Sequence, residues 1–183
     1  MNIDIYTDGG KFLDRDFAAW SFIILDVNPM GLRGHKSPHI VKSGIISHST
    51  SNGAEVLAVA FALEFVLTAV TQLTGVSTIT VYSDCCRPVD ALNGLIEKWA
   101  NNGWRNLSTS KRRTHAATNR ALSEKDKWVF LYAQLKVLES FGVEVKAIKV
   151  PAHTGVYWNE KCDALVKYEL AMAVQSSQEI ESA

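Results

Sequence analysis

Cysteine is scarce in this sequence, and the cysteines present do not form a structural framework. There are three, Cys85, Cys86 and Cys162. An odd number with one adjacent pair gives neither a set of disulfide bonds nor the spacing of a zinc site. We therefore expect free thiols that act as small buried side chains, in a protein of the reducing cytoplasm.

Long uninterrupted hydrophobic runs are absent as well. The most apolar stretch, residues 54–70, contains Glu55 and Glu64, and it is too short and too acidic for a membrane span. The first residues show neither the basic nor the apolar region of a signal peptide. We expect a protein that does not contact membranes, and a monomer that needs no protein partner.

The net charge is zero, but the charged residues are unevenly distributed along the chain. The chain has 19 basic and 19 acidic residues, which argues against a general coat of positive charge for nucleic acid. Residues 101–127, the basic segment, hold seven basic and two acidic side chains, whereas the flanking parts of the chain are net acidic. A local basic segment of this kind is what a phosphate backbone attracts.

The length and the hydrophobic pattern predict one α/β domain. A chain of 183 residues is short enough for a single domain, which we place at residues 1–175, with a frayed tail at 176–183. Alternating or β-branched runs predict strands, and helical periodicity predicts helices, in the order β-β-β-α-β-α-α-β-α. The predicted strands are residues 2–7, 17–27, 39–47, 77–83 and 143–150, and the predicted helices start near residues 51, 88, 128 and 159, the last ending near 175. The first three strands would form a meander and the later ones would be parallel, which gives a mixed five-stranded sheet with helices on both faces.

Four carboxylates are placed where this fold could bring them together. Asp8 follows the first strand, Asp84 follows the fourth, Glu55 starts the buried helix, and Asp163 lies one turn into the last helix. Singly, each has a simpler explanation, since Asp before Gly is usually a turn residue and Glu in a first turn favours the helix dipole. Together they would repel one another unless cations neutralise them, and Mg²⁺ prefers oxygen ligands. Two such ions can clamp the attacking and leaving oxygens of a phosphoryl displacement.

In four segments, the sequence resembles the type 1 ribonucleases H. The matching segments are Tyr6-Thr7-Asp8-Gly9-Gly10, Thr50-Ser51-Asn52-Gly53-Ala54-Glu55, Val81-Tyr82-Ser83-Asp84, and His153-Thr154-Gly155 followed by Asn159-Glu160-Lys161-Cys162-Asp163. The order of the segments and the spacing from His153 to Asp163 also match, so the resemblance extends over residues 2–175. It implies a ribonuclease H-like fold and an endoribonuclease that cuts the RNA strand of RNA–DNA hybrids with two metal ions, leaving 5′-phosphate and 3′-hydroxyl ends.

The resemblance also implies roles for individual residues. Asp8, Glu55, Asp84 and Asp163 would bind Mg²⁺, with Mn²⁺ as a substitute, and His153 would assist in proton handling or product departure. The residues expected to contact the hybrid are Thr50, Ser51, Asn52, Trp99, Trp104, Arg105, Lys111, Arg112, Arg113 and Asn159.

Some of these contact residues have a structural alternative. Ser51 or Asn52 could simply cap the helix. Trp99, at helical spacing from Leu95 and Ile96, could belong to the core, and the charged run could be a solvated loop.

Three features depart from the family pattern, and two other functions stay open. Residues 11–16 lack the glycines common after the first motif, Leu95 stands where a tryptophan is often found, and the basic segment is longer than usual. The alternatives are a nuclease of the same superfamily that acts on DNA, and a hybrid-binding module without catalysis. The Thr50–Glu55 and His153–Asp163 motifs weigh against the first, and the complete set of carboxylates weighs against the second.

Overall fold

The fold is built on one mixed sheet of five strands. The computed structural model describes residues 2–12, 14–25, 38–70, 75–106 and 121–181. The strands are β1 (Asn2–Lys11), β2 (Phe17–Leu25), β3 (Pro38–Ser47), β4 (Thr78–Ser83) and β5 (Glu144–Lys149). They lie in the order β3-β2-β1-β4-β5, with antiparallel pairing among the first three and parallel pairing of β4 with β1 and β5. The predicted meander and parallel strands are therefore confirmed.

Helices cover both faces of this sheet, as the pattern predicted. They are α1 (Ser51–Val70), α2 (Cys86–Asp90), α3 (Ile96–Asn101), α4 (Lys125–Ser140) and α5 (Tyr157–Glu181). Helices α1, α3 and α4 share the main hydrophobic cluster with one face of the sheet. On the other face, α5 packs against β1, β2 and β3 through residues such as Cys162, Val166 and Leu170.

The apolar character of α1 follows from its position. By length and composition alone its residues 51–68 could cross a membrane. However, Val56, Val59, Leu63 and Val66 are almost completely buried, because α1 lies between the sheet and α4. A helix that is apolar on every side is typical of such an interior position.

The helix predicted after Pro88 is bent rather than continuous. A wider helical turn, Ala91–Leu95, separates α2 from α3, and Gly94 within it has φ +108°. The Asn93 side chain fixes the bend to strand β5, since its Nδ2 donates to the carbonyl of Ala147 at 3.0 Å and its Oδ1 accepts from the Ala147 N–H at 3.0 Å.

Three sequence-based expectations need correction. Strand β1 runs through Asp8 and the two glycines to Lys11, because its pairing with β2 continues to that residue. The last helix, expected to end near residue 175, continues to Glu181, and Ser176 donates to the carbonyl of Met172 at 3.0 Å. All three cysteines are free thiols as expected, but only Cys162 is buried, while Cys85 is half-buried and Cys86 is exposed.

Candidate active site

Three carboxylates converge at one edge of the sheet. Asp8 lies on β1, Asp84 follows the end of β4, and Glu55 lies in the second turn of α1. The parallel register that pairs Tyr6 with Tyr82 places Asp8 level with Asp84 two residues later. One ligand atom from each of Asp8, Glu55 and Asp84 lies within 4.8 Å of the others.

The two glycines after Asp8 let helices approach β1 from both sides. A Cβ at Gly9 would lie 2.3 Å from the backbone nitrogen of Glu55, so only glycine allows α1 to lie this close to the strand. A Cβ at Gly10 would lie 2.9 Å from Cγ1 of Val166 on α5. The close approach at Gly9 places Glu55 beside Asp8, and the one at Gly10 brings α5 against the same strand.

Burial and mutual repulsion make the cluster unfavourable as three free anions. Burial, followed by the charges of Asp84 and Asp163, raises the pKa of Asp8 from 3.8 to about 7. Burial, followed by Asp8 and Asp84, also raises the pKa of Glu55 well above its ordinary value, although a backbone hydrogen bond from Gly9 opposes this. Such a group of acids is stable as anions only beside positive charge.

The donor set fits a hard divalent cation. The Oε2 atom of Glu55 is buried and has no hydrogen-bond partner among the described residues. A buried anionic oxygen without a donor is costly. Oxygen ligands of this kind are those that Mg²⁺ and Mn²⁺ accept, and a cation would satisfy the orphaned atom and relieve the repulsion between the carboxylates.

Asp163, the fourth predicted ligand, lies beside this cluster rather than within it. It is half-buried on α5, and its charge acts on Asp8. Its Oδ2 accepts a hydrogen bond from Nζ of Lys167, one turn further along the helix, at 2.6 Å. In this structure, its carboxylate is therefore already paired with the ammonium group of Lys167.

Asn159 is placed differently from the sequence-based expectation. It is 2% exposed, so its side chain is not available to the surface of a bound hybrid. Instead, its Nδ2 donates to Oδ2 of Asp84 at 3.1 Å, which orients that carboxylate. The motif pointed to this residue, but only the hydrogen bond in the folded structure shows that its partner is Asp84.

His153 lies on an exposed loop between β5 and α5. Its φ is +52°, in the left-handed region, and Gly155 follows with φ +85°. The loop is fixed to α5, because the Gly155 N–H donates to Oε1 of Glu160 at 2.7 Å. His153 is therefore exposed on this loop and is not part of the carboxylate cluster.

Of the residues expected to bind nucleic acid, the structure places some at the surface, while others lie outside the described residues. Thr50, Ser51 and Asn52 are exposed at the start of α1, and Thr50 caps the helix by accepting from the Gly53 N–H at 3.0 Å, a role that the sequence had left to Ser51 or Asn52. Arg105 is exposed, and its backbone forms an isolated antiparallel β-bridge with Ala121 at the base of the basic segment. Lys111, Arg112 and Arg113 lie outside the described residues.

Two tryptophans had been expected at the hybrid surface. Trp99 is 4% exposed, and its ring packs against that of Trp128 at 5.0 Å between centroids, so the assignment of Trp99 to nucleic-acid contact is wrong. The helical spacing of Trp99 from Leu95 and Ile96 is therefore that of a core residue. Trp104 is half-buried and packs on Tyr132, with part of its surface left open.

Acidic side chains that converge on one edge of a mixed sheet form a candidate site for a divalent cation. Similarity to known proteins identifies the family. The family model of RNase H matches residues 1–171, so the chain belongs to the RNase H family. The Ribonuclease H of Syntrophomonas wolfei subsp. wolfei is 28% identical over 166 residues, which cover 90% of this chain and 93% of that protein.

Further relatives agree with this assignment. The Ribonuclease H of Ehrlichia canis is 29% identical over 168 residues, covering 91% of this chain and 93% of that protein. The fold matches that of LC11-RNase H1, found in compost and solved in complex with an RNA/DNA hybrid, with a TM-score of 0.63 and 19% identity over 94% of this chain and 99% of that one.

Proposed function

We propose that this protein is an endoribonuclease that hydrolyses the RNA strand of RNA–DNA hybrids and leaves 5′-phosphate and 3′-hydroxyl ends. The observation that carries the proposal is the cluster of Asp8, Glu55 and Asp84, with ligand atoms within 4.8 Å of one another, in a chain of the RNase H family. The proposal is supported by the names of the relatives and by the hybrid bound to LC11-RNase H1.

Divalent ions are part of this proposal. Asp8, Glu55 and Asp84 would hold them, and Asp163 would join once Lys167 moves away from its carboxylate. When bound, two Mg²⁺ ions would neutralise the carboxylates and polarise the phosphate and water oxygens. Mn²⁺ has similar ligand preferences and is expected to substitute.

The remaining residues of the site have supporting roles in the proposed reaction. Asn159 holds the Asp84 carboxylate in one orientation through its 3.1 Å hydrogen bond. His153, which is exposed on the loop before α5, would exchange protons with solvent and assist the departure of the product. The exposed Ser51 and Asn52 are proposed to sense the 2′-hydroxyl groups that distinguish RNA from DNA.

The decisive experiment compares four labelled substrates, an RNA–DNA hybrid, double-stranded RNA, single-stranded RNA and duplex DNA, with Mg²⁺ and with EDTA. We expect cleavage of the hybrid alone, only with the metal, and product ends that a ligase and a phosphatase can identify. Asp84→Asn serves as the inactive control. Cleavage of duplex DNA would instead favour a DNA-directed nuclease, and hybrid binding without cleavage would favour a binding module.

A further inference from the structure

Glu124 forms a compact set of contacts with the first turn of α1. Its Oε1 accepts a hydrogen bond from Oγ1 of Thr50 at 2.6 Å, and Thr50 in turn caps the helix at Gly53. Its Oε2 is paired with Nζ of Lys127, and the side chains of this pair are only 15% and 12% exposed. A Cβ at Gly53 would lie 3.0 Å from the Glu124 carboxylate, which therefore rests directly on the helix backbone.

The backbone of Glu124 supports a specific role for this side chain. Its φ is +59° and its ψ is +33°, a left-handed conformation that is unfavourable for a residue with a Cβ. Strained positions persist where the surrounding contacts determine them. Burial opposes ionisation of Glu124, but the hydrogen bonds from Lys127 and Thr50 outweigh it and keep the pKa of its carboxyl below the ordinary value.

Glu124 also connects two parts of the expected hybrid-binding surface. The base of the basic segment is closed by the Arg105–Ala121 bridge and by a hydrogen bond from the Leu122 N–H to the Trp104 carbonyl at 2.9 Å. Glu124 lies two residues after Leu122, the last residue of this base. Its hydrogen bond to Thr50 therefore ties the basic segment to the exposed turn that carries Ser51 and Asn52.

The metal ligand on the same helix has a separate support. Glu55 is buried against β1, where the close approach at Gly9 and the Gly9 backbone hydrogen bond hold it. Loss of Glu124 should therefore loosen the exposed turn at Thr50 without displacing Glu55. The expected consequence is weaker substrate capture with little change in chemistry.

We propose that Glu124 is a positioning residue for hybrid binding, which holds the first turn of α1 against the base of the basic segment through Thr50. The proposal rests on the proposed function for its substrate. It makes the carboxylate a structural acceptor for the Thr50 hydroxyl rather than a ligand of metal or nucleic acid.

The test measures KM and kcat for a labelled hybrid in Mg²⁺, hybrid affinity by fluorescence anisotropy in Ca²⁺, and thermal unfolding. Glu124→Ala and Glu124→Gly remove the carboxylate, and glycine also suits the positive φ. Glu124→Gln keeps an oxygen that accepts from Thr50. The control is Glu139→Ala, which breaks the pair with Lys136 that has the same i,i+3 spacing at the far end of α4.

We expect the alanine and glycine variants to raise KM and the Kd for the hybrid about tenfold, with kcat within about twofold of wild type. The glutamine variant should recover most of this loss, and Glu139→Ala should behave as wild type. Thr50→Val should also raise KM, and adding Glu124→Ala to it should cost little more, because both changes remove one interaction.

An unchanged KM in both the alanine and the glycine variants overturns the proposal, as does a lowered KM, which would mean that the carboxylate repels phosphate. A fall in kcat alone, or effects that simply follow the melting temperature in every variant including Glu139→Ala, also overturns it. If the wild type binds the hybrid without cutting it, the proposed function fails, while the anisotropy measurements still decide the role of Glu124. Absence of both binding and cleavage refutes the two together.

Discussion

Asp8→Asn tests the electrostatic account of the carboxylate cluster. Burial and the neighbouring carboxylates raise the pKa of Asp8 from 3.8 to about 7. Because the folded state then binds a proton at Asp8 more tightly than the unfolded state, the contribution of Asp8 to stability is greatest at low pH. It falls as the pH rises from about 4 to about 7 and is level above that range. At about 1.4 kcal/mol per pH unit, the loss is about 4 kcal/mol.

An asparagine at this position cannot ionise, so the variant should escape this loss. At pH 8 in EDTA we expect Asp8→Asn to unfold at a temperature about 10 °C above that of the wild type, and at pH 4 the two should coincide. The lower charge should also ease the burial of Glu55, an effect of the same sign. Mg²⁺ should stabilise the wild type more than the variant, and hybrid cleavage by the variant should be lost.

Thermal and urea unfolding from pH 4 to pH 9, with and without Mg²⁺, measure these differences. The control is Asp90→Asn, an exposed carboxylate at the end of α2, for which we expect a change within about 0.5 kcal/mol. A variant at Asp8 that is less stable than the wild type at pH 8 in EDTA would refute the reasoning. So would a stability difference that does not shrink toward pH 4.

Three further predictions concern the ion, the basic segment and the core. Ca²⁺, which is larger and tolerates looser geometry than Mg²⁺, should support hybrid binding in anisotropy assays but little or no cleavage. Changing Lys111, Arg112 and Arg113 together to Ala should raise KM and leave kcat nearly unchanged. It should also flatten the plot of log affinity against log salt by about 0.9 for each lost phosphate contact. Gln134 is buried, and neither polar atom of its side chain has a partner among the described residues. Gln134→Leu should therefore raise the free energy of unfolding by about 1–2 kcal/mol in urea titrations, whereas the exposed Gln175→Leu should not.

The carboxylate cluster could be predicted from the sequence because it depends on topology. Once β1 and β4 are taken as parallel neighbours, Asp8 and Asp84 must lie side by side, and the structure confirms this. The predicted end of β1, at Thr7, was wrong for a physical reason. Two consecutive glycines usually mark a turn, but Gly9 and Gly10 serve the close approach of α1 and α5, and the strand continues between them.

Residues whose role depends on an individual tertiary contact were harder to predict. The helical spacing of Trp99 fits both a core residue and a surface residue, and only its packing on Trp128 decides for the core. The resemblance assigned Asn159 to the substrate, and nothing in the sequence shows that Asp84 is its partner. Glu124 lies in a charged run that has the pattern of a solvated loop, and its left-handed backbone conformation has no sequence signal in a glutamate.

The pairing of Asp163, the fourth carboxylate, shows which carboxylates of the site most need a bound cation. Lys167 lies one turn after Asp163 and pairs with it, an i,i+4 arrangement that a helix supplies by itself. Among the causes that raise the pKa of Asp8, burial and Asp84 outweigh Asp163, and Lys167 lowers that pKa. Asp163 thus has a cation from its own helix, whereas Asp8 and Glu55 are buried close to other carboxylates. A bound divalent cation would therefore stabilise chiefly these two inner carboxylates, and loss of the ion should be felt most strongly at Asp8 and Glu55.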